Sequence, residues 1–380
     1  MDKYPITSSD KYKTQKEYTN KIMKFPTKHQ YTFPKVEVQI HPLLNLVSNS
    51  LSISEVTSPQ YTKTGLDICK YIAATSKAYA GKSFADGEWK WLNDNRRINY
   101  LTALNSSDVN LLLDSYSSLF RQDASYGIVS GTYVEFCDAE RGRSIINGIL
   151  CDVDTWLDYT NLPPNLYLAM PDIGRPYGVK IGENLVSPDI CRHDYHAYKL
   201  FKLVKDIGHA NAIIVEIGGG YGGVAYQFIK RDVSKKHLYV IIDLFETLCV
   251  QYFYLKSLGV EVEFSLNGCI EKNSSKVILV PSEMADKIDI EVDIVYNCNS
   301  FSEMAAPTIQ KYFDLVNKRW VPRYIFHQNS DVLLYPNSQR HVELVSSEFP
   351  IDIAYKEIYR TLSPWAGGSG RYREYLYERD

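Results

Sequence analysis

Five glycines within six residues follow an apolar run that contains a carboxylate. The run is Ile213–Ile217, which includes Glu216, and glycines fill every position from 218 to 223 except Tyr221. This order predicts a buried strand, a tight turn and a helix that begins near Val224. Because glycines carry no side chain, a ligand can lie against the bare backbone at the N-terminus of that helix.

The glycine turn fits two nucleotide cofactors. Gly218, Gly220 and Gly223 match the dinucleotide fingerprint G-x-G-x-x-G, and Asp243 lies 20 residues beyond the last of them, near where a ribose-binding acid belongs. Read from Glu216, the same stretch has the acid-x-Gly-x-Gly-x-Gly pattern of S-adenosylmethionine-dependent methyltransferases. A carboxylate there would face the charged amino-acid portion of S-adenosylmethionine, whereas it would repel a pyrophosphate. We therefore favour S-adenosylmethionine over NAD.

Apolar runs alternate with helical segments after the glycine turn. Strands are predicted at 213–217, 238–242, 260–264, 277–280, 292–297 and 324–327, and helices at 224–231, 245–258, 302–318 and near 337–348. Continuous apolar runs are typical of strands buried on both faces, so we expect a parallel sheet covered by helices. Two final strands, 351–359 and 371–377, are joined without a helix and must be antiparallel. Residues 181–380 are therefore predicted to form an α/β, Rossmann-like class I methyltransferase sheet with an antiparallel C-terminal hairpin.

The part of the chain before this sheet has a different character. Residues 1–60 are rich in Ser, Thr, Lys and Pro, which predicts an arm with one short helix at 43–51. Residues 61–180 are predicted to form a mainly helical domain that covers the cleft and selects the acceptor. Its predicted elements are three helices that begin near Gly65, Trp89 and Asn105, a β-rich run at 132–137 and a helix at 145–156.

Composition narrows the class of partner. The net charge is −3 and no basic cluster occurs, so no nucleic-acid partner is expected. No stretch approaches the roughly 20 apolar residues that a spanning helix needs, and the polar N-terminus is not a signal peptide, which predicts a cytoplasmic protein without a transmembrane segment. Seven scattered cysteines without a C-x-x-C pair indicate reduced thiols rather than a disulfide framework or a zinc site.

Tyrosine is unusually abundant, with 30 copies beside 5 tryptophans. Its flat apolar face and hydroxyl suit a carbohydrate or another polar, ring-shaped partner. A general bias of the genome toward Lys and Tyr explains the same composition equally well. The count is therefore compatible with a sugar acceptor without requiring one.

Four blocks of sequence together resemble one family, the sugar O-methyltransferases found among bacterial surface-polysaccharide genes. The blocks are 186–197, 215–223, 242–255 and 297–304, and the resemblance extends from Gly182 to the C-terminus. Phe245 departs from the family pattern, where a proline is expected. The resemblance implies an S-adenosylmethionine cofactor and a sugar or glycan acceptor in a surface glycan such as O-antigen or capsule, or in its activated precursor.

The polar residues at the predicted strand ends have candidate roles in this chemistry. Asp243 would accept hydrogen bonds from both ribose hydroxyls, or would cap the helix that starts at Phe245. The full set of candidate cofactor-binding residues is Glu216, Gly218, Gly220, Tyr221, Gly222, Asp243, Leu244, Asn297 and Asn299. No cluster of carboxylates and histidines indicates a metal.

Transfer of a methyl group to a sugar hydroxyl needs a base, because the hydroxyl is a poor nucleophile at neutral pH. Glu303, shortly after the strand 292–297, is the first candidate, near where related small-molecule O-methyltransferases keep a catalytic histidine; its alternative role is to cap the helix from Ser302. His327, at the end of the strand 324–327, is the second candidate, or else a core residue. His193 is the third, within a cluster that would hold the cofactor carboxylate or an anionic sugar, or would pair along a helix.

Two rival functions remain open at this point. One is an NAD-dependent nucleotide-sugar dehydrogenase or epimerase, and the other is a non-catalytic methyltransferase-like partner in polysaccharide assembly. The sequence leaves the oligomeric state open, with a homo-oligomer among the alternatives.

Overall fold

The computed structural model describes residues 41–43, 62–79, 85–208, 210–232, 237–271, 276–332, 342–365 and 371–379. The predicted arm 1–60, with its helix at 43–51, lies outside the described residues except for 41–43. Of the predicted helix near 337–348, only 342–348 is described, and it contains the 3₁₀ turn Ser346–Glu348.

Helices dominate the described residues before position 170. They are α1 (Lys63–Tyr79), α2 (Gly87–Asn95), α3 (Ile98–Ser106), α4 (Val109–Ser117), α5 (Tyr133–Cys137), α6 (Ala139–Thr160) and α7 (Pro164–Tyr167). Helix α3 was not predicted. The polar residues from Asn105 were expected to start a helix, whereas Ser106 is the last residue of α3. The cap of α4 is Asp108, whose carboxylate accepts hydrogen bonds from the backbone of Asn110 and Leu111.

The predicted β-rich run at 132–137 is wrong, because this segment is helical. A capping box forms between Thr132 and Glu135: the Thr132 hydroxyl accepts a hydrogen bond from the Glu135 backbone N–H at 3.2 Å, and the Glu135 carboxylate accepts one from the Thr132 N–H at 2.9 Å. These two bonds satisfy N–H groups that a helix start would otherwise leave open. Local capping therefore outweighs the β propensity of Tyr133 and Val134.

The remaining elements alternate between strands and helices. They are β1 (Val179–Ile181), β2 (Asn184–Val186), α8 (Ile190–Ile207), β3 (Ile213–Ile217), α9 (Gly223–Arg231), β4 (Leu238–Asp243), α10 (Phe245–Ser257), β5 (Val262–Phe264), β6 (Val277–Pro281), β7 (Ile294–Cys298), α11 (Ala306–Leu315), β8 (Tyr324–Ser330), β9 (Tyr355–Leu362) and β10 (Tyr372–Arg379). The short strands β1 and β2 pair with each other in antiparallel orientation.

Eight strands form one sheet in the order β5-β6-β4-β3-β7-β8-β10-β9. All neighbours up to β8 are parallel, whereas β10 runs antiparallel to both β8 and β9. This is a doubly wound, Rossmann-like sheet that ends in the predicted C-terminal hairpin. The chain first builds outward from β3 through β4 and later returns to place β7 on the other side of β3. The order of the sheet therefore reverses at β3 and β7, which is where such sheets bind ligands.

A continuous hydrophobic core joins the N-terminal helices to one face of the sheet, and a second core covers the other face. Tyr116 of α4 stacks on Phe253 of α10 with ring centroids 4.7 Å apart. Buried side chains from both sides of the predicted boundary near residue 180 thus pack together in one core. None of the helices in the described ranges has the length and apolar character required to cross a bilayer.

Candidate active site

A cleft of about 630 Å³ opens at the carboxyl ends of β3, β4 and β7. Its floor is the glycine turn after β3, together with Asp243 of β4 and residues 298–300 after β7. The opposite wall comes from the N-terminal part, namely helix α2 and the loop 127–132. Residues from the helical part therefore form one wall of the cleft.

The glycine turn has the backbone that its composition predicts. Gly218, Gly220 and Gly222 have φ angles of +76°, +55° and +89°, a region that L side chains rarely adopt. A Cβ added at Gly218 would overlap the side chain of Ser300. Gly222 is the N-cap of α9, so the helix begins where the turn ends. Gly218 and Gly220 line the cleft, whereas Gly222 lies beneath its surface.

Glu216 is the most unusual group in the floor of the cleft. Glu216 is only 2% exposed, yet it lines the cleft. Its Oε2 atom has no hydrogen-bond partner among the described residues. Burial raises its pKa to about 8. A buried carboxyl oxygen without a hydrogen-bond partner is costly, and a cationic ligand group would supply that partner.

Asp243 is already well bonded. Its Oδ2 accepts hydrogen bonds from the Gly219 N–H at 2.9 Å and the Gln251 amide at 2.8 Å, and its Oδ1 accepts one from the Leu244 N–H at 2.8 Å. A carboxylate has about four acceptor positions, which leaves room for about one ligand hydroxyl rather than two. Burial raises the pKa of Asp243 to about 7. Leu244, not Asp243, is the N-cap of α10, and no side-chain capping bond forms there.

The two asparagines after β7 have different surroundings. Asn297 is 1% exposed and lies behind the cleft, where its amide donates a 2.7 Å hydrogen bond to the Ile217 carbonyl and its Oδ1 accepts one from Asn329. Asn299 lines the cleft with a φ angle of +67°, and its Oδ1 accepts a 3.0 Å hydrogen bond from Gln328. Asn297 therefore supports the strand ends, and Asn299 is the one that a ligand can reach.

Glu303 lines the cleft at the end of the 3₁₀ turn Ser300–Glu303. Its Oε2 accepts a 3.0 Å hydrogen bond from the indole N–H of Trp89, which comes from helix α2 across the cleft. The alternative role as a helix cap does not hold, because α11 begins at Ala306 with Ala305 as its N-cap. Glu303 is thus a carboxylate in the cleft that the N-terminal part orients.

His193 also lines the cleft, near the start of α8. Its Nδ1 lies 3.1 Å from the Tyr221 hydroxyl, and burial lowers its pKa to about 4. The ring is therefore neutral near pH 7, and its tautomer decides which nitrogen carries the lone pair. Tyr221 itself is 2% exposed and does not line the cleft, so it positions His193 from below.

His327 lies outside the cleft, in the middle of β8 rather than at its end, because the strand continues to Ser330. Its fully buried ring stacks on Tyr375 at 4.8 Å and packs against Phe349 at 5.2 Å. Neither ring nitrogen has a hydrogen-bond partner within the described ranges, and burial lowers the pKa to about 3. This environment is that of a core side chain.

Sequence reasoning missed the residues that close the cleft from the N-terminal side. Trp91 of α2 and Arg96, the C-cap of α2, line this wall, and so does the loop 127–132. The loop is attached to α8 by a 2.7 Å hydrogen bond from the Ser130 N–H to Asp189, which also pairs with Arg192 at 2.7 Å. The glycines of the loop were visible in the sequence, but nothing local indicated that they approach the glycine turn. Within the described ranges, no group of three or more His, Cys, Asp or Glu residues could hold a metal ion.

No protein-family model matches the sequence, and no curated protein matches it. Among solved structures, the chain is similar to a SAM dependent methyltransferase from Aquifex aeolicus, with 15% identity, a TM-score of 0.29, and coverage of 49% of this chain and 98% of that one. It is also similar to M. capricolum TrmK in complex with S-adenosyl-homocysteine, with 13% identity, a TM-score of 0.31, and coverage of 48% and 68%. The methyltransferase domain of bacterial CtHen1 matches with 10% identity, a TM-score of 0.33, and coverage of 48% and 97%.

Proposed function

We propose that the protein is an S-adenosylmethionine-dependent O-methyltransferase that methylates a sugar hydroxyl of a bacterial surface glycan, such as O-antigen or capsule, or of its activated precursor. The observation that carries this proposal is the buried Glu216 carboxyl in the cleft floor, whose Oε2 atom has no hydrogen-bond partner among the described residues. The ammonium group of S-adenosylmethionine supplies the cationic partner that Glu216 lacks, whereas a dinucleotide would bring a pyrophosphate to the same place.

The other groups of the floor fit the rest of this cofactor. Asp243 has about one acceptor position left for a ribose hydroxyl. Ile242 and Leu244 give the adjoining wall an apolar surface for the adenine ring. Arg192 lines the cleft near the start of α8 and is the candidate partner for the cofactor carboxylate. Gly218 and Gly220 allow the ligand to approach the backbone.

The bound cofactor supplies an electrophilic methyl group, and the residues of the chain hold and deprotonate the acceptor. Glu303 is our candidate base, since it lines the cleft and its carboxylate is oriented by Trp89. His193 is the second candidate, because its neutral ring lines the same cleft. The sugar acceptor is supported by the resemblance of the sequence blocks from 186 to 304 to sugar O-methyltransferases.

Calorimetric titration of the full chain with S-adenosylmethionine, S-adenosyl-homocysteine and NAD tests the proposal. We expect the two sulfur compounds to bind and NAD not to bind. Glu216→Gln weakens binding of S-adenosylmethionine at least tenfold, the loss expected for a hydrogen bond to a charged group of roughly 1.5–3 kcal/mol. Tight binding of NAD without binding of either sulfur compound would instead identify a nucleotide-sugar dehydrogenase or epimerase.

A further inference from the structure

A buried glutamine of α10 joins two parts of the cleft floor, the glycine turn and Asp243. Gln251 is fully buried in the middle of this helix and is not among the residues that line the cleft. Its Nε2 atom donates one hydrogen bond to Oδ2 of Asp243 at 2.8 Å and one to the carbonyl of Gly220 at 3.0 Å. A buried amide is costly unless it is bonded, and both N–H groups of this one are used.

The two acceptors fix the orientation of the Gln251 amide. The carbonyl oxygen of Gly220 can only accept a hydrogen bond, so the nitrogen of the amide must face it. A flipped amide would place its own oxygen against this carbonyl and would lose the bond. The contact is therefore specific for a donor at position 251.

These bonds decide which oxygen of Asp243 is left for a ligand. Oδ2 accepts from the Gly219 N–H and from Gln251, which uses both of its lone pairs. Among the described residues, Oδ1 accepts only from the Leu244 N–H and keeps one acceptor position. A ribose hydroxyl would therefore bond to Oδ1, while Oδ2 ties the carboxylate to the glycine turn.

The same contact accounts for a glycine that the backbone does not require. Unlike Gly218 and Gly220, Gly219 has no positive φ angle. A Cβ at Gly219 would lie 2.6 Å from the side chain of Ile241 and 3.2 Å from the amide nitrogen of Gln251. A side chain at this position would displace its neighbours, so the glycine leaves the space that the amide needs.

We infer, on the basis of the proposed function, that Gln251 is a positioning residue of the cofactor site. It holds Asp243 and the glycine turn in one arrangement and leaves an acceptor position of Asp243 Oδ1 for the ribose of S-adenosylmethionine. Gln251 acts through Asp243 and Gly220, because it lies beneath the surface of the cleft.

The charge of Asp243 makes this role measurable. Burial raises the pKa of Asp243 to about 7, and its hydrogen bonds, including the one from Gln251, oppose this rise. The other titratable groups that face it are Glu216 of β3, Glu246 of α10 and Tyr312 of α11. Ionised Asp243 accepts a stronger bond from a ribose hydroxyl than protonated Asp243 does, so binding weakens as the pH falls through its pKa. Loss of the Gln251 donor raises that pKa and moves the midpoint of binding upward.

Calorimetric titration of the full chain with methylthioadenosine and S-adenosyl-homocysteine, at pH values on both sides of 7, tests the inference. Methylthioadenosine has the ribose but no ammonium group, so its binding depends least on the charge of Glu216. Gln251→Met removes the donor and keeps the length of the side chain. We expect binding at neutral pH to weaken about tenfold and the midpoint to rise by about one pH unit. Gln251→Glu also removes the donor and adds a like charge, so it should move the midpoint in the same direction.

Gln227→Met is the matched control. Gln227 is a buried glutamine of α9 and, within the described part of the chain, makes no hydrogen bond to Asp243 or to the glycine turn. This variant should keep the midpoint of the unmodified chain. An unchanged midpoint for both Gln251 variants would overturn the inference and leave the proposed cofactor in place. Failure of the unmodified chain to bind S-adenosylmethionine and both probes would overturn the proposed function, and the role of Gln251 with it.

Discussion

Two acids in the cleft floor have pKa values far from those of surface carboxyl groups. Burial raises the pKa of Glu216 to about 8 and that of Asp243 to about 7. Such groups make the folded protein less stable than it would be without them, and groups with perturbed pKa values cluster at functional sites. The two carboxyl groups differ in one respect: Asp243 is satisfied by three hydrogen bonds, whereas Oε2 of Glu216 has no partner among the described residues.

Glu216→Gln should stabilise the protein at high pH while it weakens cofactor binding. A carboxyl group whose pKa is about 8 when folded and 4.5 ordinarily binds its proton more tightly in the folded state. Wild-type stability therefore falls as pH rises from 4.5 to about 8, and the variant lacks this loss. We expect the Tm of the variant to exceed that of the wild type by more at pH 8.5 than at pH 5, measured by calorimetry. An equal difference at both pH values would contradict the raised pKa.

Glu303→Gln should separate binding from chemistry. The amide keeps the shape and can still accept the hydrogen bond from Trp89, but it cannot take a proton from the acceptor. We expect methyl transfer to fall by about 10²–10⁴-fold, the usual contribution of a general base, with an unchanged Kd for S-adenosyl-homocysteine. His193→Gln is the matched variant. If it abolishes transfer while Glu303→Gln does not, the role of base belongs to His193.

At the scale of elements, the turns after β3 and β7 fit together as one unit. Ser300 donates a 2.9 Å hydrogen bond to the Ile217 carbonyl, and Asn297 donates to the same carbonyl at 2.7 Å. Gly218 lies so close to Ser300 that no side chain fits between them. The sequence of one turn therefore constrains the other, although they are separated by about 80 residues in the chain.

Gly218→Ala and Gly182→Ala are a matched pair that tests this contact. Both glycines have positive φ angles, +76° and +59°, so both substitutions carry the backbone strain of roughly 1–2 kcal/mol. A Cβ at Gly182 meets nothing within 4 Å, whereas at Gly218 it overlaps Ser300. We expect urea denaturation to show a loss of unfolding free energy at least twice as large for Gly218→Ala, and only that variant should lose cofactor affinity. Equal losses would show that strain alone matters.

At the scale of the whole molecule, the helical part and one face of the sheet share a hydrophobic core. Tyr116 is fully buried, stacks on Phe253 and shares a 3.1 Å hydrogen bond with Tyr100, whose hydroxyl also bonds to the Glu246 carbonyl at the start of α10. The wall of the cleft is thereby fixed to the helix that follows Asp243. Packing of this kind fixes the two walls of the cleft relative to each other.

Tyr116→Ala should destabilise both parts together. Loss of a large buried aromatic residue costs roughly 3–5 kcal/mol. A shared core unfolds cooperatively. We therefore expect the native tryptophan fluorescence and cofactor binding to be lost in one common urea transition in each protein, and this transition should occur at a lower urea concentration in the variant than in the wild type. Tyr71 is 45% exposed, and its ring lies 4.9 Å from that of Tyr252. Tyr71→Ala should therefore lower the free energy of unfolding much less than Tyr116→Ala does. Separate transitions for the two probes would mean that the parts unfold independently.

The sequence by itself determined the parallel sheet, its C-terminal hairpin, the glycine turn and the acids Glu216 and Asp243 at the cleft. These features follow from local signals: continuous apolar runs, alternation in the last strands, and glycines where φ is positive. Helix α5 also has a local signal, the Thr132-x-x-Glu135 capping box, but the prediction followed the β propensity of Tyr133 and Val134 instead. Only the tertiary structure shows that His327 lies in the core and that Trp89 reaches Glu303, because these contacts join residues distant in the chain and leave no periodic pattern in the sequence.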